Sequence, residues 1–179
     1  MKKTRVIALA AFSITLLASV QSCKKDIDNE PVPQEFVADN STFANFMAWS
    51  LDATAQGPDP ALGGMAHGGN DSTVVRNVYF KNGQDPVNGT YPIGTVIVKH
   101  SANTGGTVNE HTAMVKRGNS FNSNVGNWEF FVLMPDGSIA ADSAGTPMRG
   151  ANLMNGMCGG CHSAVSSKDF VFSKYLSTV

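Results

Sequence analysis

The chain has 179 residues, 42 % of them hydrophobic, and 13 lysines and arginines against 14 aspartates and glutamates give a formal net charge of −1. That is room for one domain with a real core, and without a basic patch or interleaved basic and aromatic residues it excludes nucleic acid as a partner. Three cysteines are an odd number, so at least one thiol needs an explanation other than a disulfide.

Lys2, Lys3 and Arg5 precede an almost wholly apolar run from Val6 to Ala18. The run is too short to span a bilayer and predicts a secretory signal over residues 1–22. Val20-Gln21-Ser22-Cys23 resembles a bacterial lipobox, with Gln21 departing from its commonest form, and predicts lipidation of Cys23. An ordinary signal peptide beside a chance cysteine is the alternative. Loss of Lys2, Lys3 and Arg5 leaves 10 of the 13 basic residues against 14 acids, a net charge of about −4. The expected location is extracytoplasmic, with a lipid anchor on a bacterial envelope membrane. Residues 23–40 carry charges, Pro31 and Pro33 but few large apolar side chains, and predict a flexible tether. The domain proper is expected over 41–179.

Asn40 or Ser41 is placed to cap a helix reaching about Ala55, with Phe43, Phe46, Met47 and Leu51 on one face. A loop rich in Gly and Pro follows from Gln56 to Asp71 and contains His67. Four runs then read as strands: Val74 to Phe80, Thr95 to His100, His111 to Arg117 and Trp128 to Met134. Turn signals such as Asn82-Gly83, Asn88-Gly89 and Pro135-Asp136-Gly137 bound them, and with no helical run between them the sheet is antiparallel. Thr146 to Met157 is a helix or loop, and a last helix is predicted from Ser167 to Leu176, anchored by Phe170, Val171 and Tyr175.

Met157 leads directly into Cys158-Gly159-Gly160-Cys161-His162. Two cysteines three apart with a histidine after the second is the attachment signature of a c-type haem. Each thiol adds to one porphyrin vinyl group, and the histidine becomes the proximal iron ligand. The two glycines leave the backbone free for the turn this needs. A zinc site would want a second ligand pair, and the remaining cysteine is Cys23. A thioredoxin-like redox pair would want a βαβ surround. The expected cofactor is therefore one covalent haem c, held by Cys158 and Cys161 with His162 on the iron. Lipid on Cys23 and haem on the other two leaves no spare thiol.

The fold class that results is α+β: a mostly antiparallel sheet with an N-terminal helix and C-terminal helices around that haem. Only 17 residues follow His162 (179 − 162), none of them Met or His, so any group on the other side of the iron comes from upstream. His67 and His100 are candidate ligands, the first with a structural histidine as its alternative. Phe80, Phe130 and Phe131 are candidate apolar caps, while Met148, Met154 and Met157 suit core packing beside the haem. His111 opens a strand and has no clear role. Strand alternation puts Lys99 on the face of Thr95 and Ile97, and His100 on that of Val96 and Val98. With the core on the Val96 side, His100 would meet the pocket and Lys99 the solvent.

Tyr91-Pro92-Ile93-Gly94-Thr95-Val96-Ile97-Val98-Lys99, Met114-Val115-Lys116, Gly126-Asn127-Trp128-Glu129-Phe130 and Asp136-Gly137, closing on the Cys-Gly-Gly-Cys-His run, resemble the cytochrome P-460 family, which includes cytochrome c-prime-beta. The resemblance covers about Phe43 to the C-terminus. It implies one c-type haem, often a homodimer, and either oxidation of hydroxylamine or nitric oxide or binding of nitric oxide without turnover, with electrons passed through the haem to a periplasmic partner. Catalytic members join a lysine nitrogen to the porphyrin edge, and Lys99 matches that lysine best, with Lys116 next; an ordinary strand-surface lysine is the other reading of Lys99. The family's enzymes also place a carboxylate over the iron, for which Asp136 and Asp142 are the acids between Met134 and Cys158. The alternative function is a plain electron carrier whose iron is closed by an upstream His or Met.

Overall fold

The computed structural model describes residues 35–62, 71–83 and 85–173. The signal segment, Cys23, the tether up to residue 34, His67 and the chain beyond Ser173, with Tyr175, lie outside the described residues. Six strands, β1 (Ser50–Gln56), β2 (Val75–Phe80), β3 (Val96–Ala102), β4 (Asn109–Lys116), β5 (Trp128–Leu133) and β6 (Arg149–Gly150), form one antiparallel sheet ordered as in the chain. One short helix, α1 (Met157–His162), carries the Cys-Gly-Gly-Cys-His run, and a 3₁₀ segment, Ser163–Lys168, continues it.

Strands β2 to β5 are the four runs read from sequence, with no end moved by more than two residues. Both faces of the sheet are buried, which is why the sequence there is nearly continuous in apolar residues rather than alternating. Val96, Val98, Ala113, Val115, Phe131 and Leu133 pack on one face with Phe43 and Phe46. Val78, Phe80, Ile97, Met114, Trp128 and Phe130 pack on the other with Tyr91, Val171, Leu153 and Cys158. On the first face Glu129, 2 % exposed, accepts two bonds from the Arg149 guanidinium and one from Arg117. Arg149 lies 4.8 Å over the Phe131 ring, so the pair is packed between sheet and ring rather than in water.

The expected helix from residue 40 to 55 is not formed. Asp39 Oδ1 instead accepts hydrogen bonds from the backbone N–H groups of Ser41 and Thr42, which closes a turn where a cap was expected. Asn45 then takes a left-handed conformation (φ 55°), only a 3₁₀ turn Phe46–Ala48 follows, and Ser50–Gln56 pairs with β2 as β1. Phe43 and Phe46 do reach the core, whereas Met47 and Leu51 are exposed. Pairing with β2 overrides the helix propensity of Leu51, Ala53 and Ala55. Among the described residues the expected C-terminal helix is not formed either. Asp169 (φ 49°) and Phe170 (φ 63°) are both left-handed, and that backbone cannot sit inside a right-handed helix. Phe170 and Val171 still anchor the segment in the second core. Between Thr146 and Met157 the chain forms β6 and a series of turns.

Candidate functional site

Antiparallel register sets out the second face as rows of side chains. One row is Phe80, Ile97, Met114 and Phe130, and the next is Val78, Lys99, Thr112 and Val132. A third, Arg76, Ser101 and Glu110, is wholly polar. Helix α1 lies over the first two rows, and the cleft between helix and sheet holds a cavity of about 50 Å³. Its walls include Val78, Ile97, Lys99, Met114, Cys158 and His162. Ligand sites are built as this one is, apolar with a few placed polar groups.

His162 closes one end. Its Nδ1 is 2.6 Å from the Phe170 carbonyl oxygen. A carbonyl only accepts, so the proton is on Nδ1 and the lone pair is left on Nε2. The ring is flanked by Phe130 at 5.2 Å and Phe172 at 5.3 Å. These apolar surroundings drive its pKa down to about 4, against the pull of the Phe170 carbonyl and with help from Lys99. The imidazole is thus held neutral, oriented and single in tautomer, as a metal-ligating histidine is. Cys158 and Cys161 stand free on the same helical turn. Burial raises the Cys158 thiol, and the charge of Lys99 opposes that rise.

The glycines of the motif do not use their conformational freedom, since both lie in ordinary helical backbone. Gly159 is needed for closeness: a Cβ there would stand 3.1 Å from Val125 Cγ2, whereas one on Gly160 would meet nothing within 4 Å.

Lys99 lines the cleft with Cys158 and His162. Burial, and then the neighbouring Arg76 guanidinium, bring its pKa down to about 8. The alternation of Lys99 and His100 holds, but the cleft is on the Lys99 side. His100 faces the other way and stacks on His111 at 4.5 Å with ring planes 5° apart. Burial and then the neighbouring His100 lower the pKa of His111. Stacked rings keep their lone pairs in two nearly parallel planes, with centroids 4.5 Å apart, so the pair does not converge on a metal, and His100 has no access to the cleft. Lys116 is not in the cleft wall; its Nζ lies 2.7 Å from both carboxylate oxygens of Asp169. Phe130 lines the cleft and packs on the His162 ring, Phe131 borders the cleft while its ring packs against Phe43 on the far face, and Phe80 packs on Tyr91. Met154 and Met157 are 49 % and 61 % exposed and fill no core gap, because the turn before α1 aims them outward, and Met148 is half-buried. Asp136 and Asp142 close exposed turns by accepting from Ser138, Ala144 and Thr146.

One cleft residue and one carboxylate near it escaped the sequence reading. Met114 is buried in the cleft wall, and Glu110 carries the carboxylate whose charge acts on Lys99. Both were legible in principle, because residues 110, 112, 114 and 116 share one face of β4.

An apolar cleft closed by a fixed neutral imidazole, with two thiols on the same turn, is the donor set of a haem-binding protein. The chain belongs to the cytochrome P460 family, whose family model matches residues 44–173. Comparison with curated proteins gave no match, and neither did comparison with solved structures.

Proposed function

We propose that this protein is a mono-haem c-type cytochrome of the outer cell envelope, lipid-anchored through Cys23, that handles small nitrogen species. Cys158 and Cys161 would hold the haem by thioethers and His162 would ligate its iron through Nε2. The observation that carries this is the His162 ring, tied at Nδ1 by the Phe170 carbonyl and facing the cleft beside Cys158, with Cys161 on the same helix. Bound haem supplies a redox-active iron that takes a small neutral ligand and exchanges electrons. The chain's own part is to shape access to it. Val78, Ile97 and Phe130 keep the cleft apolar, which favours hydroxylamine or nitric oxide over ions. Lys99 is the amine placed to bear on the porphyrin edge, and a pKa of about 8 leaves a nucleophilic neutral fraction at neutral pH. Thr112 borders the cleft beside Lys99, and Glu110, two residues before it on the same face of β4, is the carboxylate available to hold a proton near Lys99. A periplasmic electron acceptor and a homodimer complete the expectation.

The test is the ferrous absorption spectrum of the mature protein, followed by addition of hydroxylamine and of nitric oxide. A red-shifted Soret band that returns to an ordinary c-type position in Lys99→Ala supports the lysine bond, and reduction by hydroxylamine supports the enzyme. An ordinary spectrum with nitric oxide bound leaves the binding form. The second reading is an electron carrier with closed iron. Met114 in the cleft wall favours it as the one described residue there with a thioether. Under that reading the ferrous protein ignores nitric oxide until Met114→Leu opens the site.

A further inference from the structure

The carbonyl that orients His162 comes from an unusual piece of backbone. Asp169 and Phe170 are consecutive non-glycine residues with φ of 49° and 63°. Left-handed backbone at Phe170 costs on the order of 1 kcal/mol or more and persists only where the surroundings impose it. Here the surroundings are visible. Lys116 Nζ donates to both Asp169 carboxylate oxygens at 2.7 Å, and the Tyr91 N–H donates to Asp169 Oδ2 at 2.8 Å. Trp128 Nε1–H donates to the Asp169 carbonyl at 2.8 Å. Lys116 and Asp169 side chains are each only 7 % exposed, and the Lys116 ammonium also lies 5.0 Å over the Trp128 ring. Gly126 makes the approach possible, since a Cβ there would come within 2.9 Å of Asp169 Oδ1 and Phe170 Cδ2. One residue after this anchored Asp169, the Phe170 carbonyl accepts from His162 Nδ1.

We propose that Lys116, Asp169 and Trp128 form a clamp that positions His162 on the haem iron, by holding Phe170 in the left-handed conformation that aims its carbonyl at Nδ1. Lys116 is then a positioning residue, acting on the iron through Asp169, Phe170 and His162 without touching the cleft. The inference rests on the reading that His162 ligates haem. A firm Nδ1–H bond makes the imidazole a stronger donor and favours ferric iron. Loosening the clamp should therefore raise the midpoint potential while both thioethers and the haem content stay.

The experiment measures midpoint potential by spectroelectrochemistry on haem-loaded full-length protein, with melting temperature alongside. Lys116→Met alone would strand a buried carboxylate, so the primary variant is the neutral pair Lys116→Met/Asp169→Asn, in which Asn keeps its tolerance of left-handed backbone. Trp128→Phe, which deletes one donor and keeps an aromatic ring, serves where the pair does not fold. Both are expected to raise the potential, the pair more than Trp128→Phe, and Lys116→Arg is expected to keep the parent value. A folded pair variant, or failing that Trp128→Phe, with full haem and the parent potential overturns the clamp as a positioning device and leaves it merely structural. A parent protein without covalent haem overturns the reading beneath it, and the clamp's role with it.

Discussion

Lys99 is an amine where a strand would more comfortably bury a hydrophobe, and Lys99→Met turns that into a measurable quantity. Its pKa in the folded chain is about 8, against an ordinary value of 10.5. The gap of about 2.5 pH units, at roughly 1.4 kcal/mol each, amounts to about 3 kcal/mol. The sign follows from which state binds more protons. Between pH 8 and 10.5 the unfolded chain holds the proton and the folded chain does not, so stability rises with pH across that window. Above it the cost of burying the charge is gone, and below pH 8 the whole cost is in force. Lys99→Met should therefore be more stable than the parent at pH 7 by up to about 3 kcal/mol, or roughly 6–12 °C in melting temperature. The two chains should converge as pH approaches 10. Urea melts of the haem-free chain at half-unit steps from pH 6 to 10 read this directly, and the Tyr91 hydroxyl, pushed up to about 12 by burial, stays out of the window. A Lys99→Met profile parallel to the parent's at every pH would refute the reasoning, since some other group would then carry the slope.

Glu129→Leu leaves Arg149 without a carboxylate while Arg117 keeps Glu35 at 2.8 Å, and because Arg117 and Arg149 are 18 % and 22 % exposed the loss should fall at the low end for a broken buried pair, about 3 kcal/mol. Thermal melts check it, and haem content should not change, because the network is on the sheet face away from the cleft. Burial and then the charge of His100 lower the pKa of His111, so stability should fall as pH drops below about 6.5, by up to about 1.4 kcal/mol for each unit until the folded value is reached. The parent should lose stability in acid faster than His111→Phe in paired melts at pH 7 and pH 5. Gly160→Ala faces open space within a helix and should add up to about 1 kcal/mol, whereas Gly159→Ala pushes on Val125 and should lower both stability and haem loading.

What the sequence carried and what it did not divide along a physical line. Strands β2 to β5 were legible because β-branched and aromatic runs between strong turn signals leave little choice. β1 was hidden, because Ser50–Gln56 is built of residues that read as helix until β2 pairs with them. The motif gave Cys158, Cys161 and His162 by spacing alone, yet nothing local says that Phe170 would hold the imidazole. That bond depends on Asp169, whose partner Lys116 is 53 positions away. Alternation separated Lys99 from His100 correctly, but which face held the cleft was undecidable while both faces of β3 read as apolar. His100 consequently seemed a candidate ligand until its stack on His111 put it on the far side.

The central claim, that Cys158 and Cys161 hold one haem and His162 ligates it, is tested most directly by the intact mass and pyridine haemochrome of the mature protein expressed where c-type cytochromes are assembled. The account predicts one haem per chain that survives denaturation and acid extraction, a haemochrome of the two-thioether kind, and loss of both in Cys158→Ser/Cys161→Ser. A haem that extracts freely, or a folded protein carrying none, would contradict it.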